Sequence, residues 1–485
     1  MSAPTALANT TPLLDARQLV ALGREPGVPF RMALADGREL TMLALLRVLP
    51  GKRVVGEALL DGQPVLSKLF IANGSARHWQ QERAGIEALR AASVPTPPAV
   101  AALALAGGGH ALLTEFLAPA ESLDQAWSRL AARPPGDAAA TALLLPALAM
   151  LGKMHAAGLV QEDLHLGNFL SSKGQLFVID GDAVRSLAAG KPLTALQAAR
   201  NLAILLAQLP AAWDGHRQPL LSAYSAAAGL ARPAEELLQR EVDDVRARRL
   251  NDFLAKSVRD CTLFSVTRSF GRFTAAVRST ADSLAPLLAA PDAAMRRGQL
   301  LKDGGTCTVT KVAAGSRPLV IKRYNLKNLR HALARSWRPS RAWHSWREGH
   351  RLQFLGIATP APLALVEERI GPLRRRAWLI TEFCPGKNLL EHLDADRAPP
   401  DAEAAALAGL FTAMHRMQIT HGDLKATNLL WHDGKVFVID LDATVQHRSP
   451  AAYARAWRRD RARLLRNWPA ASALHRWLDE TLPPA

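Results

Sequence analysis

The sequence contains one stretch of itself twice. Met154 to Ala183 and Met414 to Ala443 align without a gap at an offset of 260, and 13 of the 30 positions are identical. The identities include His155/His415, Asp163/Asp423, Asn168/Asn428, Gly174/Gly434 and the Phe-Val-Ile-Asp runs that end at Asp180/Asp440. Self-similarity at one long offset points to duplication of a whole domain. A chain of 485 residues is also too long for one compact domain and predicts two or three.

Both copies read the same way. An apolar helix leads to His155 or His415, a loop carries the Asp and the Asn, and two short strands follow around Lys173-Gly174 or Asp433-Gly434. Asp-Gly is a strong hairpin signal. Upstream lie β-type segments, a charged helix, Pro-rich punctuation near Pro95 and Pro360, and apolar strands ending in Thr114-Glu115-Phe116 and Thr381-Glu382-Phe383. That order predicts an α+β chain in which a small β-rich lobe precedes a helical lobe, twice. The expected boundaries are a loose N-terminus over 1–35, a first domain over 36–215, a basic helical extension and linker over 216–290, and a second domain over 291–485.

The formal charge of +17 favours an anionic partner. Cys261, Cys307 and Cys384 are far apart, without metal-ligand spacing, which predicts a reducing compartment. The first thirty residues have no apolar core of a secretory signal. The longest apolar run, Ala138 to Gly152, is shorter than a bilayer span and reads as a buried helix.

Phosphoryl transfer requires positioned groups: a base for the attacking hydroxyl, oxygen ligands for a metal, and a cation on the phosphates. In the second copy Asp423 fits the base. Lys425, two residues on, can neutralise charge on the transferred group. Asn428 lies five residues after the base and can reach a metal, and Asp440, at a strand end, offers hard oxygens suited to Mg²⁺. Lys322, in Leu319-Val320-Ile321-Lys322, is the phosphate anchor, and Glu348 on the following helix is expected to pair with it. The first copy offers Lys68, Glu82, Asp163, Asn168 and Asp180 in the same roles. His155 and His415 read as structural imidazoles bonded to loop backbone.

His421-Gly422-Asp423-Leu424-Lys425-Ala426-Thr427-Asn428 resembles the catalytic loop of protein kinases, and Asp440-Leu441-Asp442 stands at their Asp-Phe-Gly. The segment Val320 to Asn325 and the basic stretch to Arg351 resemble bacterial lipopolysaccharide kinases, the Kdo and heptose kinase family, in particular. The resemblance implies two tandem protein-kinase-like bilobal domains, ATP and Mg²⁺, and as acceptor an inner-core sugar of lipopolysaccharide or another anionic glycolipid. It assigns Glu115 and Glu382 to the nucleotide site. The turn Gly304-Gly305 is expected to cover the phosphates, because Lys322 follows at a suitable distance.

The first copy departs from the pattern at Gln161-Glu162, at His165 (Lys425 in the second copy) and at Asn201 (Asp460 in the second). These changes predict nucleotide binding with less turnover. Basic residues Lys327, Arg330, Arg335, Arg338, Arg341, Arg347 and Arg351 interleave with Trp337, Trp343 and Trp346. That pattern fits a solvated helix face, a nucleic-acid surface or a membrane interface. The acceptor context favours the inner-membrane surface, with the protein cytoplasmic and peripheral and no nucleic-acid partner. A Ser/Thr protein kinase, a small-molecule phosphotransferase and a tandem pseudokinase scaffold are the alternatives.

Overall fold

The computed structural model describes residues 11–188, 190–229, 231–325, 339–371 and 373–484. The chain divides into two compact units, Met1–Ala247 and Arg248–Ala485. Each unit contains a seven-stranded sheet, two small sheets and a set of helices, so the α+β class is observed in both.

In the first unit the sheet runs, in spatial order, Leu13–Leu14, Phe30–Ala33, Glu39–Leu49, Arg53–Leu60, Gln63–Phe70, His110–Glu115 and Ala99–Ala104. The pairings are antiparallel except the first. Strand Arg53–Leu60 alternates half-buried and buried positions, the period-two pattern of a sheet with one face on a core. Gly56 is required within it, because a Cβ there would lie 2.1 Å from the Ala44 carbonyl oxygen. A bridge between Leu34 and Leu105 brings the sheet's far strand back toward Phe30–Ala33, so the sheet rolls around Phe30, Met32, Leu40, Met42, Leu69 and Leu113.

Residues 13–33, within the terminus expected to be loose, therefore supply two strands of this sheet and the helix between them. The sequence carries the reason: Asp15 and Gln18 form a reciprocal capping box on helix Ala16–Ala21, and Phe30 and Met32 alternate inward.

Helix Ala138–Ala156 runs through the helical core with Leu144, Leu148, Leu151, Phe169, Leu202 and Tyr224. Among the described residues it is the one helix long and apolar enough to cross a membrane, and half of that apolar stretch is buried inside the unit.

The second unit's sheet runs Phe264–Arg268, Arg272–Val277, Pro362–Ile370, Leu373–Glu382, Arg317–Tyr324, Cys307–Ala314 and Gln299–Gly304, all antiparallel. Its first hairpin overturns the expectation that 216–290 is a helical linker. Helices Gln218–Ala228 and Glu235–Lys256 are present, but residues 264–277 are strands. The reason is periodic: buried Phe264 faces the core from one strand, and buried Phe273 and Ala275 do so from the next. Among the unit's helices are Arg341–Phe354, Asp401–Arg416 and Pro450–Leu465, with Phe411 and Trp457 in the helical core.

Two short hairpins position the chemistry. Phe169–Ser172 pairs with Gln175–Val178, and Leu429–His432 with Lys435–Val438. Their turns, Lys173-Gly174 and Asp433-Gly434, have positive φ at both residues, the two-residue geometry that matches strand twist. Two residues past the end of each second strand stands Asp180 or Asp440, both held in the left-handed region at φ 73° and 60°. A non-glycine residue rarely adopts that conformation, and it is concentrated at functional sites.

Candidate active site

In the second unit a cavity of about 410 Å³ brings together Lys322, Asn428, Asp440, Asp442, Thr381 and Glu382. Lys322 Nζ lies 2.6 Å from Asp440 Oδ1 and 3.0 Å from Asp442 Oδ1. Burial opposes the charge on Lys322, but the Asp442 and Asp440 carboxylates outweigh it and raise its pKa. Burial likewise opposes charge on Asp440, and Lys322 more than compensates, holding that carboxyl below its usual range.

The Asp423 carboxylate faces two cations. Lys425 Nζ is 2.8 Å from Oδ2, and Arg463 donates to Oδ1 at 2.8 Å and to the Gly422 carbonyl at 2.9 Å. Asn428 Nδ2 donates to the Asp423 carbonyl at 2.9 Å, which leaves its side-chain oxygen for another partner. The loop is braced from below: Asp460 Oδ2 accepts the His421 and Gly422 amides at 2.7 and 2.9 Å, and His421 Nε2 bonds the Ile439 carbonyl.

The first unit has the same frame with different fittings. Its cavity of about 470 Å³ is lined by Lys68, Glu82, Glu115, Asn168 and Asp180 among others. Lys68 Nζ lies 2.5 Å from Glu82 Oε1 and 2.9 Å from Asp180 Oδ1. Glu82 also accepts the Gly181 and Asp182 amides. Asn168 Nδ2 donates to the Asp163 carbonyl at 2.7 Å, as its counterpart does. Asp163 itself is 75% exposed, and among the described residues the one ion-pair partner beside its carboxylate is His165, at 3.9 Å. Asn201 replaces the brace and bonds both the amide and the carbonyl of Gln161.

Glu348 is not the partner of Lys322. Its carboxylate pairs with Arg351 at 2.8 Å. The helices of the two units correspond through Leu89/Leu352 and Val94/Ile357, which make the same closing hydrogen bond at 2.9 and 2.8 Å. On that correspondence Ser345, not Glu348, occupies the place of Glu82. Three residues of helix put Glu348 about 300° around the axis from there.

Glu115 and Glu382 both line the cavities from strand ends, and the Glu382 carboxylate pairs with Arg317. Gly304 ends a strand and Gly305-Thr306 forms the hairpin tip; Asn325 bonds the Gly304 carbonyl and Arg341 the Thr306 carbonyl. His155 and His415 are structural, but their partners are side chains: His155 meets Tyr224 and Asn201, and His415 meets Tyr453.

Two of the tryptophans expected at a membrane, Trp343 and Trp346, serve the interior instead. Trp346 is fully buried and donates to the Ser257 carbonyl, and Trp343 packs on Phe273. Lys327, Arg330, Arg335, Trp337 and Arg338 lie outside the described residues. Arg463, Ser345 and the role of Asp442 are what sequence reading missed. Arg463 lies one turn beyond Asp460, and the Asp182/Asp442 repeat stood in plain view.

The model of the lipopolysaccharide kinase (Kdo/WaaP) family matches residues 68–188 and 297–476, more than half of the chain and part of each unit. The chain belongs to this family. It is accordingly a phosphotransferase, a kinase of the lipopolysaccharide core. Similar solved structures include "WaaP in complex with acyl carrier protein", at 24% identity over 41% of this chain and 88% of that one with a TM-score of 0.33. Another is "Structure of vaccinia related kinase 3", at 11% identity over 50% and 79% with a TM-score of 0.28. No curated protein matches the chain.

Proposed function

We propose that the two units are tandem protein-kinase-like domains and that the second transfers the γ-phosphoryl group of ATP to a heptose or Kdo hydroxyl of the inner core. The observation that carries this is that one cavity brings together the Lys322–Asp440 pair and Asn428, which bonds the Asp423 carbonyl from the same loop. Asp423 orients the acceptor hydroxyl and takes its proton as the oxygen attacks the γ-phosphorus. The bond to the β–γ bridging oxygen breaks and ADP leaves. Lys425 and Arg463 face the charge on the transferred group, and Lys322 holds the α- and β-phosphates.

Asn428 and Asp440 suit Mg²⁺: both line the cavity, and the amide orientation of Asn428 turns its oxygen, a hard donor like the Asp440 carboxylate, away from the loop. When bound, the metal would neutralise phosphate charge. Thr381, Glu382 and Phe383 wall the side of the cavity that suits the adenine, and the Gly304-Gly305 hairpin covers the phosphates. In the first unit Lys68, Glu82, Asn168 and Asp180 bind nucleotide, Glu115 lines that site, and Asp163 contributes little turnover.

The acceptor is anionic and membrane-anchored, so the protein works at the cytoplasmic face of the inner membrane. The +17 charge and exposed Arg455, Arg458, Arg459 and Arg466 on one helix and its end support this. The test is phosphate transfer from ATP to core oligosaccharide lacking phosphate, read by mass spectrometry with the sugar identified. Phosphorylation of protein substrates alone, with none of the core sugars modified, overturns the reading.

A further inference from the structure

The two units hold their phosphate-anchoring lysines differently. In the first, Lys68 pairs with Glu82 of the helix. That helix lies in backbone contact with the 180–182 turn: a Cβ on Gly85 would come within 1.9 Å of the Gly181 carbonyl oxygen. In the second unit the corresponding positions are Glu348 and Leu441, so side chains stand where two glycines touched. The helix carboxylate is replaced by Ser345, which is buried and too short to reach the lysine.

The missing charge is supplied from the other side. Asp442 Oδ1 lies 3.0 Å from Lys322 Nζ, and the same carboxylate accepts from Ser345 Oγ at 2.8 Å and from the Tyr324 hydroxyl at 2.7 Å. Arg341 NH1 is 3.6 Å from its other oxygen while NH2 bonds the Thr306 carbonyl at the glycine hairpin. In the first unit the equivalent Asp182 pairs with Arg53 instead.

We propose that Asp442 is the positioning residue of the second unit's nucleotide site, holding Lys322 on the phosphates in place of the helix carboxylate that holds Lys68. This rests on the reading of the second unit as an ATP site. A carboxylate moved from the helix to the strand-end turn keeps the lysine charged and aimed, and the Ser345 and Tyr324 hydroxyls fix its rotamer.

The test is ATP binding by calorimetry to the full chain, with and without magnesium, beside steady-state kinetics. Lys68→Met is included in every variant so that only the second site is titrated. Asp442→Asn should weaken ATP about tenfold or more, in both the presence and the absence of magnesium. Ser345→Glu added to Asp442→Asn restores a carboxylate in the first unit's position and should recover most of that loss. Ser345→Ala alone, a milder change, should weaken ATP a fewfold. If Asp442→Asn unfolds the unit, Ser345→Ala decides the matter, and unchanged ATP affinity in that variant sinks the proposal. A loss confined to magnesium-containing buffer makes Asp442 a metal ligand and overturns it, as does a double variant no better than the single. Failure of the wild-type second site to bind ATP at all strikes the parent reading instead.

Discussion

The two loops that carry Asp163 and Asp423 share a backbone but not an electrostatic setting. In both, the Asn five residues on bonds the Asp carbonyl at nearly the same distance, and the strand-end Asp is left-handed and salt-bridged to a lysine. Around the base the units part. Asp423 is clasped by Lys425 and Arg463, over a loop whose amides are held by the charged Asp460. Asp163 projects into solvent, above a neutral Asn201, and Ile204 occupies the helical position of Arg463. On the proposed reading, the two copies share the groups that would bind a nucleotide and differ in those that would transfer a phosphoryl group.

The largest effect that can break this comparison is at the base. Asp423→Ala should lower kcat by about 10³-fold, the range of a lost general base, with the fold intact. Asp163→Ala should leave kcat within about twofold, since a residue that is not turning over removes nothing from the transition state. Sugar phosphorylation rates of the two variants decide it, and the opposite pattern reverses the assignment of the units.

Much of this was legible because it repeats. Asp423, Asn428 and Asp440 could be read from the gap-free offset of 260, and their hairpin from Asp433-Gly434. The lysine partner could not. The offset is 254 at Lys68/Lys322, 263 along the helix and 260 in the loop, so extra residues before the second helix hide its phase. Picking the one acidic residue in a basic stretch selected Glu348, whose charge Arg351 consumes. The hairpin at 264–277 was masked by its arginines: Arg268 and Arg272 read as a basic helix, while Phe264 and Phe273 were already marking a strand period. Arg463 carries no signal in the linear sequence, which does not show that one turn beyond the Asp460 brace faces Asp423.

A second pair of variants sharpens the comparison at the nucleotide. Lys68→Met should remove the first site from the ATP titration, lowering the stoichiometry from two per chain to one, by leaving Glu82 and Asp180 without their cation. Turnover should be nearly unaffected. Loss of turnover would instead show that the first site is needed for transfer. Next in size is Arg463→Met, which leaves ATP affinity unchanged and lowers kcat by about tenfold, less than a fully enclosed donor because Arg463 is partly exposed. If KM for ATP rises while kcat holds, Arg463 belongs to binding and not to transfer.

The smallest effect concerns pH and separates the units by stability. Each buries a neutral imidazole: His155 beside Tyr224 and Asn201, with its pKa lowered by burial to about 4, and His350 against Trp346 and Phe264, lowered by burial to about 3. An unfolded histidine titrates near 6.5, so below that pH the unfolded chain binds a proton that the folded unit refuses. Stability is therefore full above about pH 6.5 and falls with acid, down to about pH 4 for His155 and about pH 3 for His350. Each histidine should cost about 1 kcal/mol at pH 6. His350 is the cleaner probe, because its buried Nε2 has no hydrogen-bond partner among the described residues and an apolar ring can replace it. His350→Phe should flatten the acid limb of the second unit's urea transition between pH 7 and 5 and leave that of the first unit unchanged. Identical acid limbs in wild type and variant would show that His350 does not carry the second unit's sensitivity.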